Sequence, residues 1–170
     1  PFEIPKDWLR FGALDWGSTR PFSYGCYAVA QAPLDVEEGI HIPRGAIVRY
    51  DEWYGWNGKP NEGLRMEAPE VARGILAKED GVKPAYRIAD NSMWKVDGGP
   101  SIAETFNRFG CILRPSAKGP GSRHNGYVEV RSRIAGNDDG PMFFCTTNCH
   151  AGFWRTMPDL VMDEHQHGLK

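Results

Sequence analysis

No apolar run in this 170-residue chain approaches the roughly 20 residues that cross a bilayer, so no membrane-spanning helix is expected. Charge of one sign is not in excess either. Twenty Lys and Arg face 22 Asp and Glu, for a formal net charge of -2. This balance excludes a globally basic nucleic-acid binder of the histone type, yet it allows a local basic surface. Cysteine is scarce. Cys26, Cys111, Cys145 and Cys149 are too few to staple a chain of this length, and reduced thiols in a cytosolic protein are expected. The run Cys145-Thr-Thr-Asn-Cys149-His150 has a spacing at the loose end of zinc sites, but no second Cys or His pair lies at a finger-like distance. It is read instead as a buried strand ending at Cys145 and a helix opening near Asn148. No repeat, low-complexity tract or linker divides the chain. It begins at Pro1 with no charged-then-apolar leader. The expectation is one domain cut from a longer protein, spanning residues 1–170, with 1–9 as a lead-in.

What is present is a core. Hydrophobic residues make up 41% of the chain, enough for a domain of this size to bury without cross-links. Phe11–Asp15 is a short apolar run closed by a Gly-Ser turn and reads as a strand. Pro21–Ala32 and Ala46–Glu52 read as two more strands, with Pro33–Gly45 as a loop between them. Three strands joined by short turns form an antiparallel meander. The period then changes. Leu64, Ala68, Val71, Ala72 and Ile75 recur at three and four residues, predicting an amphipathic helix that ends near Gly81. Ala85–Asp90 is a fourth strand. Ser101 with Glu104 forms a capping box for a second helix that Gly110 stops. Cys111–Arg114 is a fifth strand, Pro115–Asn125 a polar stretch and Met142–Cys145 a sixth strand; in Tyr127–Ala135, Val128, Val130 and Ser132 alternate as in a strand while Tyr127, Val130 and Ile134 fit a helix, and helix is the reading taken. A meander followed by strand-helix alternation gives an α/β fold, a mixed sheet flanked by helices with the fourth strand beside the first. That is the ribonuclease H-like architecture.

Two acids stand out in this frame. Asp15 and Asp90 each end an apolar strand, where an unpaired carboxylate is costly to bury. On neighbouring strands they converge at one sheet edge and repel, and a divalent cation relieves the repulsion. Carboxylate and water ligands suit Mg²⁺ or Mn²⁺, and one or two such ions support phosphodiester hydrolysis. The alternative is that each acid merely caps a turn. Glu52 ends the third strand and is a weaker candidate ligand; Asp163, near the end of the sequence, is another.

Phe11-Gly-Ala-Leu-Asp-Trp-Gly-Ser-Thr-Arg-Pro21 resembles the opening strand of the nuclease domain of phage DNA-packaging terminase large subunits. Ile47–Glu52 with Trp53-Tyr54 is similar to the third strand of that family, and Tyr86–Trp94 with Pro100–Phe106 to its fourth strand and next helix. Arg123–Gly126 and Cys149–Leu160 continue the resemblance. It implies a metal-dependent endonuclease that cuts concatemeric double-stranded DNA during genome packaging, with Asp15 and Asp90 as metal-binding catalytic acids and Mg²⁺ or Mn²⁺ as cofactor. It also implies a portal, a small terminase subunit and a packaging ATPase domain of the same chain as partners, in the cytoplasm of a bacterial host and away from any membrane. No G-x-x-x-x-G-K-[ST] phosphate loop exists here. The third acid of the family lies in a helix carrying a Glu-Asp-His-x-x-Asp-like pattern, and the sequence stops at Lys170 before any such pattern. The C-terminal end of the domain is therefore expected to be missing, with Glu52 or Asp163 as substitute ligands.

Lys118, Arg123, Arg131, Arg133 and Arg20 are the basic residues placed on a DNA-facing surface, where they neutralise phosphates without reading bases. A solvated loop and helix face is the competing reading. Two other functions share the same features: another ribonuclease H-like nuclease such as a junction resolvase, and a non-catalytic module that binds DNA or docks on the portal.

Overall fold

The computed structural model describes residues 3–36, 39–79, 81–159, 162–163 and 168–169. In chain order the elements are β1 (Leu9–Asp15), β2 (Ser23–Val29), β3 (Leu34–Val36), β4 (Ile40–Ile42), β5 (Ile47–Tyr54), α1 (Ala68–Lys78), β6 (Tyr86–Ala89), α2 (Ile102–Arg108), β7 (Arg114–Pro115), α3 (Ser122–Ala135), β8 (Phe143–Cys145), α4 (Phe153–Thr156), β9 (Met162–Asp163) and β10 (Gly168–Leu169). Six strands form one mixed sheet in the order β7-β6-β1-β2-β5-β8. β1 and β6 are parallel, as are β6 and β7, and β5 and β8. β2 runs against β5: Gly55 N–H donates to Phe22 O at one end and Ala30 N–H to Ala46 O at the other, both at 2.9 Å. The 16–22 connection between β1 and β2 is far shorter than the dozen or so residues a parallel crossover needs. β1, β5, β6, β7 and β8 therefore all point their carboxyl ends the same way.

The chain divides into two compact units. One holds residues 1–9, 27–51 and 117–170. Its core gathers Trp8, Ala28, Ala30, Ile42, Ala46 and Val48, with Tyr50, Met142 and Phe144 packed against it. The Pro33–Gly45 stretch read as a loop contains a small hairpin, β3 paired with β4. Leu34, Val36 and Ile42 turn into the core there, a burial that local turn residues do not announce.

The other unit holds residues 10–26 and 52–116. Helix α1 buries Val71, Ala72 and Ile75 on one stripe, opened by a reciprocal Glu67–Glu70 box and by Pro69 in the first turn. Gly74 gives room to the Trp53 indole, which a Cβ would strike. Leu64, expected on this helix, lies before it and is exposed; its N–H bonds Gly55 O instead. Helix α2 opens with the expected box: Glu104 N–H donates to Ser101 Oγ at 3.2 Å and Ser101 N–H to Glu104 Oε2 at 2.7 Å. The fifth strand shrinks to Arg114–Pro115, because Cys111 and Leu113 pack into the core before the ladder with β6 begins.

Two further expectations changed. The third helix starts at Ser122, five residues before Tyr127, and buries none of its residues. Val130 and Ile134, whose spacing with Tyr127 fits a helix, are exposed. The segment from Thr147 is a 3₁₀ turn over Thr147–Cys149, followed by the short helix α4.

Candidate active site

The candidate site begins with the register of two parallel strands. Phe11 is opposite Tyr86, Ala13 opposite Ile88, and Leu14 opposite Ala89. Asp15 and Asp90 follow at the next position, on backbones about 4.8 Å apart. Side chains alternate along a strand, so Phe11, Ala13 and Asp15 share a face with Tyr86, Ile88 and Asp90. The Phe11 and Tyr86 rings stack on that face with centroids 5.4 Å apart. Gly12, Leu14, Arg87 and Ala89 point the other way and are buried. The two acids therefore leave the sheet together, on its open face at the carboxyl edge. Asp15 is exposed and Asp90 half-buried.

Asp90 also caps a turn. Its Oδ1 accepts the Ser92 N–H at 2.8 Å, opening the 3₁₀ turn Asn91–Trp94. Turn-capping and site membership are thus compatible at this residue: the bond to Ser92 fixes the direction of the carboxylate at the strand end. The oxygen donors of two adjacent aspartates match a hard divalent cation such as Mg²⁺ or Mn²⁺, which fills its remaining positions with water. The residues present fit the ion that the resemblance implies.

The buried side of the same strands is held by an ion pair. Arg87 Nε donates to Glu79 Oε1 at 2.7 Å, Arg87 Nη2 donates to Glu79 Oε2, and Tyr24 Oη donates to Glu79 Oε1 at 2.6 Å. Burial, then the hydrogen bond to Glu79, raises the Tyr24 phenol well above its usual range, while the Glu79 bond chiefly raises the Arg87 guanidinium. Gly12 is required where Tyr24 crosses β1, since a Cβ there would collide with the phenol. Sequence reasoning missed this network. Tyr24, Glu79 and Arg87 share no spacing that announces it; an Arg within an otherwise apolar strand was the one signal.

The remaining candidates divide. Glu52 is buried on β5, with β2 between it and β1. Among the described residues no group of three or more His, Cys, Asp and Glu side chains gathers to hold a metal. Neither Glu52 with the aspartates nor Cys145, Cys149 and His150 makes such a group. The Asp163 side chain lies outside the described residues. Arg20 is exposed in the same unit as the aspartates. Lys118, Arg123, Arg131 and Arg133 belong to the other unit, and the first three are exposed. Arg133 is engaged: its Nε donates to Glu129 Oε1 at 2.7 Å and its Nη1 to Gly45 O at 3.4 Å, tying α3 to the turn before β5. All four cysteines are free thiols, and burial pushes that of Cys111 up to about 11. No described helix is long and apolar enough to cross a membrane.

The strand order and the helices on the sheet define a ribonuclease H-like fold. Solved structures similar to it include phage large terminases. The nuclease domain of the P22 large terminase superposes with a TM-score of 0.67 at 14% identity, covering 100% of this chain and 76% of that one. A large terminase from a thermophilic bacteriophage gives 0.64 at 14%, covering 98% of this chain and 36% of that one. The same terminase in complex with ADP gives 0.63 at 14%, with 95% and 34% covered. The chain thus spans about a third of the thermophilic phage protein. No family profile matches the sequence, and no curated protein is significantly similar to it.

Proposed function

We propose that this chain is the nuclease domain of a phage or prophage DNA-packaging terminase large subunit, a metal-dependent endonuclease cutting concatemeric double-stranded DNA. The observation that carries this reading is the placement of Asp15 beside Asp90 on one face at the carboxyl edge of two parallel strands. The shared fold with the P22 large terminase nuclease domain supports it. Asp15 and Asp90 hold Mg²⁺ or Mn²⁺. The chemistry such an ion would supply there is the activation of water and stabilisation of the leaving oxygen. Paired strands and the Ser92 cap keep the carboxylates oriented without reorganisation at the moment of reaction. Lys118, Arg123, Arg131 and Arg20 neutralise phosphates. Arg133, already bonded to Glu129, contributes mainly by holding α3. The full protein carries a packaging ATPase domain, meets the portal and small subunit, and works in the host cytoplasm.

The test reads metal binding and cleavage separately. Mn²⁺ titrated into the chain and followed by electron paramagnetic resonance should bind, and Asp15→Asn and Asp90→Asn should each abolish binding while leaving the circular dichroism spectrum unchanged. Mn²⁺-dependent nicking of supercoiled plasmid should fall with the same variants. Equal Mn²⁺ binding by wild type and both folded variants refutes the site.

A further inference from the structure

Two loops at the carboxyl edge are locked together more tightly than connection alone requires. The first is the turn 17–20, which follows Asp15. The second is 55–65, which follows β5. Gly63 N–H donates to Thr19 O at 2.7 Å, Arg65 N–H to Ser18 O at 3.2 Å, and Leu64 N–H to Gly55 O at 2.9 Å. The contact is close enough to dictate glycine. A Cβ on Gly63 would lie 2.5 Å from both Arg20 O and Ser18 O, and one on Gly17 2.5 Å from Arg20 O. Within the second loop the Trp56 indole N–H donates to Lys59 O at 2.6 Å, and Asn57 Nδ2 to Glu62 Oε2 at 3.1 Å. Asn61 and Arg65 adopt left-handed backbone, φ 58° and 57°, a conformation disfavoured for residues with side chains and concentrated at functional sites.

This stiffness presents charge. Arg20 and Arg65 are exposed, and so is Lys59. The acid within these two loops is Glu62, which Asn57 engages. Ser18 is three residues from Asp15, so their Cα atoms are at most about 11 Å apart, and Arg65 is bonded to Ser18. We infer that residues 17–20 and 55–65 form a rigid clamp whose Arg20 and Arg65 grip backbone phosphates of duplex DNA beside the bond held at Asp15 and Asp90. The inference rests on the nuclease reading above and adds a binding site to it. The locked backbone fixes where each arginine side chain begins, and the planar fork of its guanidinium matches the phosphate oxygens. Holding both arginines on one locked backbone fixes their spacing, so the clamp sets the register of the strand at the acids and reads no base.

The experiment measures binding of two unrelated 30-base-pair duplexes to the chain in Ca²⁺ at several salt concentrations. Arg20→Gln with Arg65→Gln should weaken both duplexes alike, by about tenfold per arginine at 0.1 M salt. The log-log salt slope should flatten by about 0.9 per lost contact. Lys83→Gln with Arg108→Gln removes the same charge from positions away from the clamp and should change little. Gly63→Ala keeps every charge but forces the loops apart, and should weaken binding in the same direction; if it fails to fold, the exposed arginine variants still decide. An unchanged slope in the double arginine variant, or an equal loss in the Lys83 and Arg108 control, overturns the clamp. Mn²⁺ binding that still depends on the aspartates alongside that result would sink the clamp and leave the nuclease reading standing. Mn²⁺ binding indifferent to the aspartates, with a clamp-dependent slope, would do the reverse. Absence of duplex binding by the chain overturns the clamp as well.

Discussion

Replacing Glu79 with alanine strands a cation. The Arg87 side chain is 8% exposed and that of Glu79 7%, so the guanidinium on β6 loses its carboxylate in a place water scarcely reaches. Tyr24 Oη loses its acceptor in the same step. Breaking one partner of a buried pair costs about 3–5 kcal/mol, and an unsatisfied buried hydroxyl adds to that. Against a typical domain stability of about 5–15 kcal/mol, the loss is a large fraction. At about 2–4 °C per kcal/mol for a chain of this size, the melting temperature should fall by roughly 6–20 °C. Glu79→Leu with Arg87→Met removes both charges and should cost less than Glu79→Ala, because no charge is left buried without a partner. Urea titration with thermal melts of the three proteins measures this. A loss below about 1 kcal/mol in Glu79→Ala would refute the reasoning, as would a double variant less stable than Glu79→Ala.

Other outcomes follow from the same contacts. Ser101→Ala should cost about 1 kcal/mol of stability by urea titration. The Ser101 bonds hold the Glu104 carboxyl below its usual range. The larger cause, the Ser101 backbone N–H, survives in the alanine variant and only the side-chain share is lost; a depressed carboxylate stabilises above its unfolded pKa and loses that contribution as pH falls, so the gap between wild type and variant should narrow only slightly in acid. Iodoacetamide should alkylate Cys145, which is partly exposed, before the buried Cys26, Cys111 and Cys149; peptide mass mapping gives the order, and early labelling of Cys111 contradicts its burial. The Cys111 thiol, raised to about 11, keeps its proton in the fold after the unfolded chain has lost it near 9. Stability therefore falls as pH rises between these values, and Cys111→Ala should soften that fall.

That two aspartates end apolar strands was legible because the signal is local. An aspartate at the end of an apolar strand stands out in a sequence, and Asp15 and Asp90 both do. The capping box of α2 was legible for the same reason: Ser101 and Glu104 are three residues apart and satisfy each other's backbone. The β3–β4 hairpin was not, since Leu34 and Ile42 find their place through a core that distant residues such as Trp8 and Val48 complete. The helical spacing of Tyr127, Val130 and Ile134 matched α3, which buries none of its residues; period reports which residues share a face and not what covers it. Zinc-like spacing at Cys145 and Cys149 met no third donor among the described residues, since a metal site needs convergence in space.

By itself the sequence determined the order of the main-sheet strands and the helices between them, and through it the ribonuclease H-like class, because alternation and helical period are written into neighbouring residues. It determined that two aspartates end strands. Only the tertiary structure decided the parallel register of those strands that sets Asp15 beside Asp90, that Glu79 neutralises Arg87 beneath them, and that Gly63 and Arg65 lock onto the turn after Asp15. Gly63 and Thr19, like Tyr24 and Glu79, are far apart along the chain, and Glu79 and Arg87, eight residues apart, sit on different elements; the energy of such contacts depends on packing that no local pattern encodes.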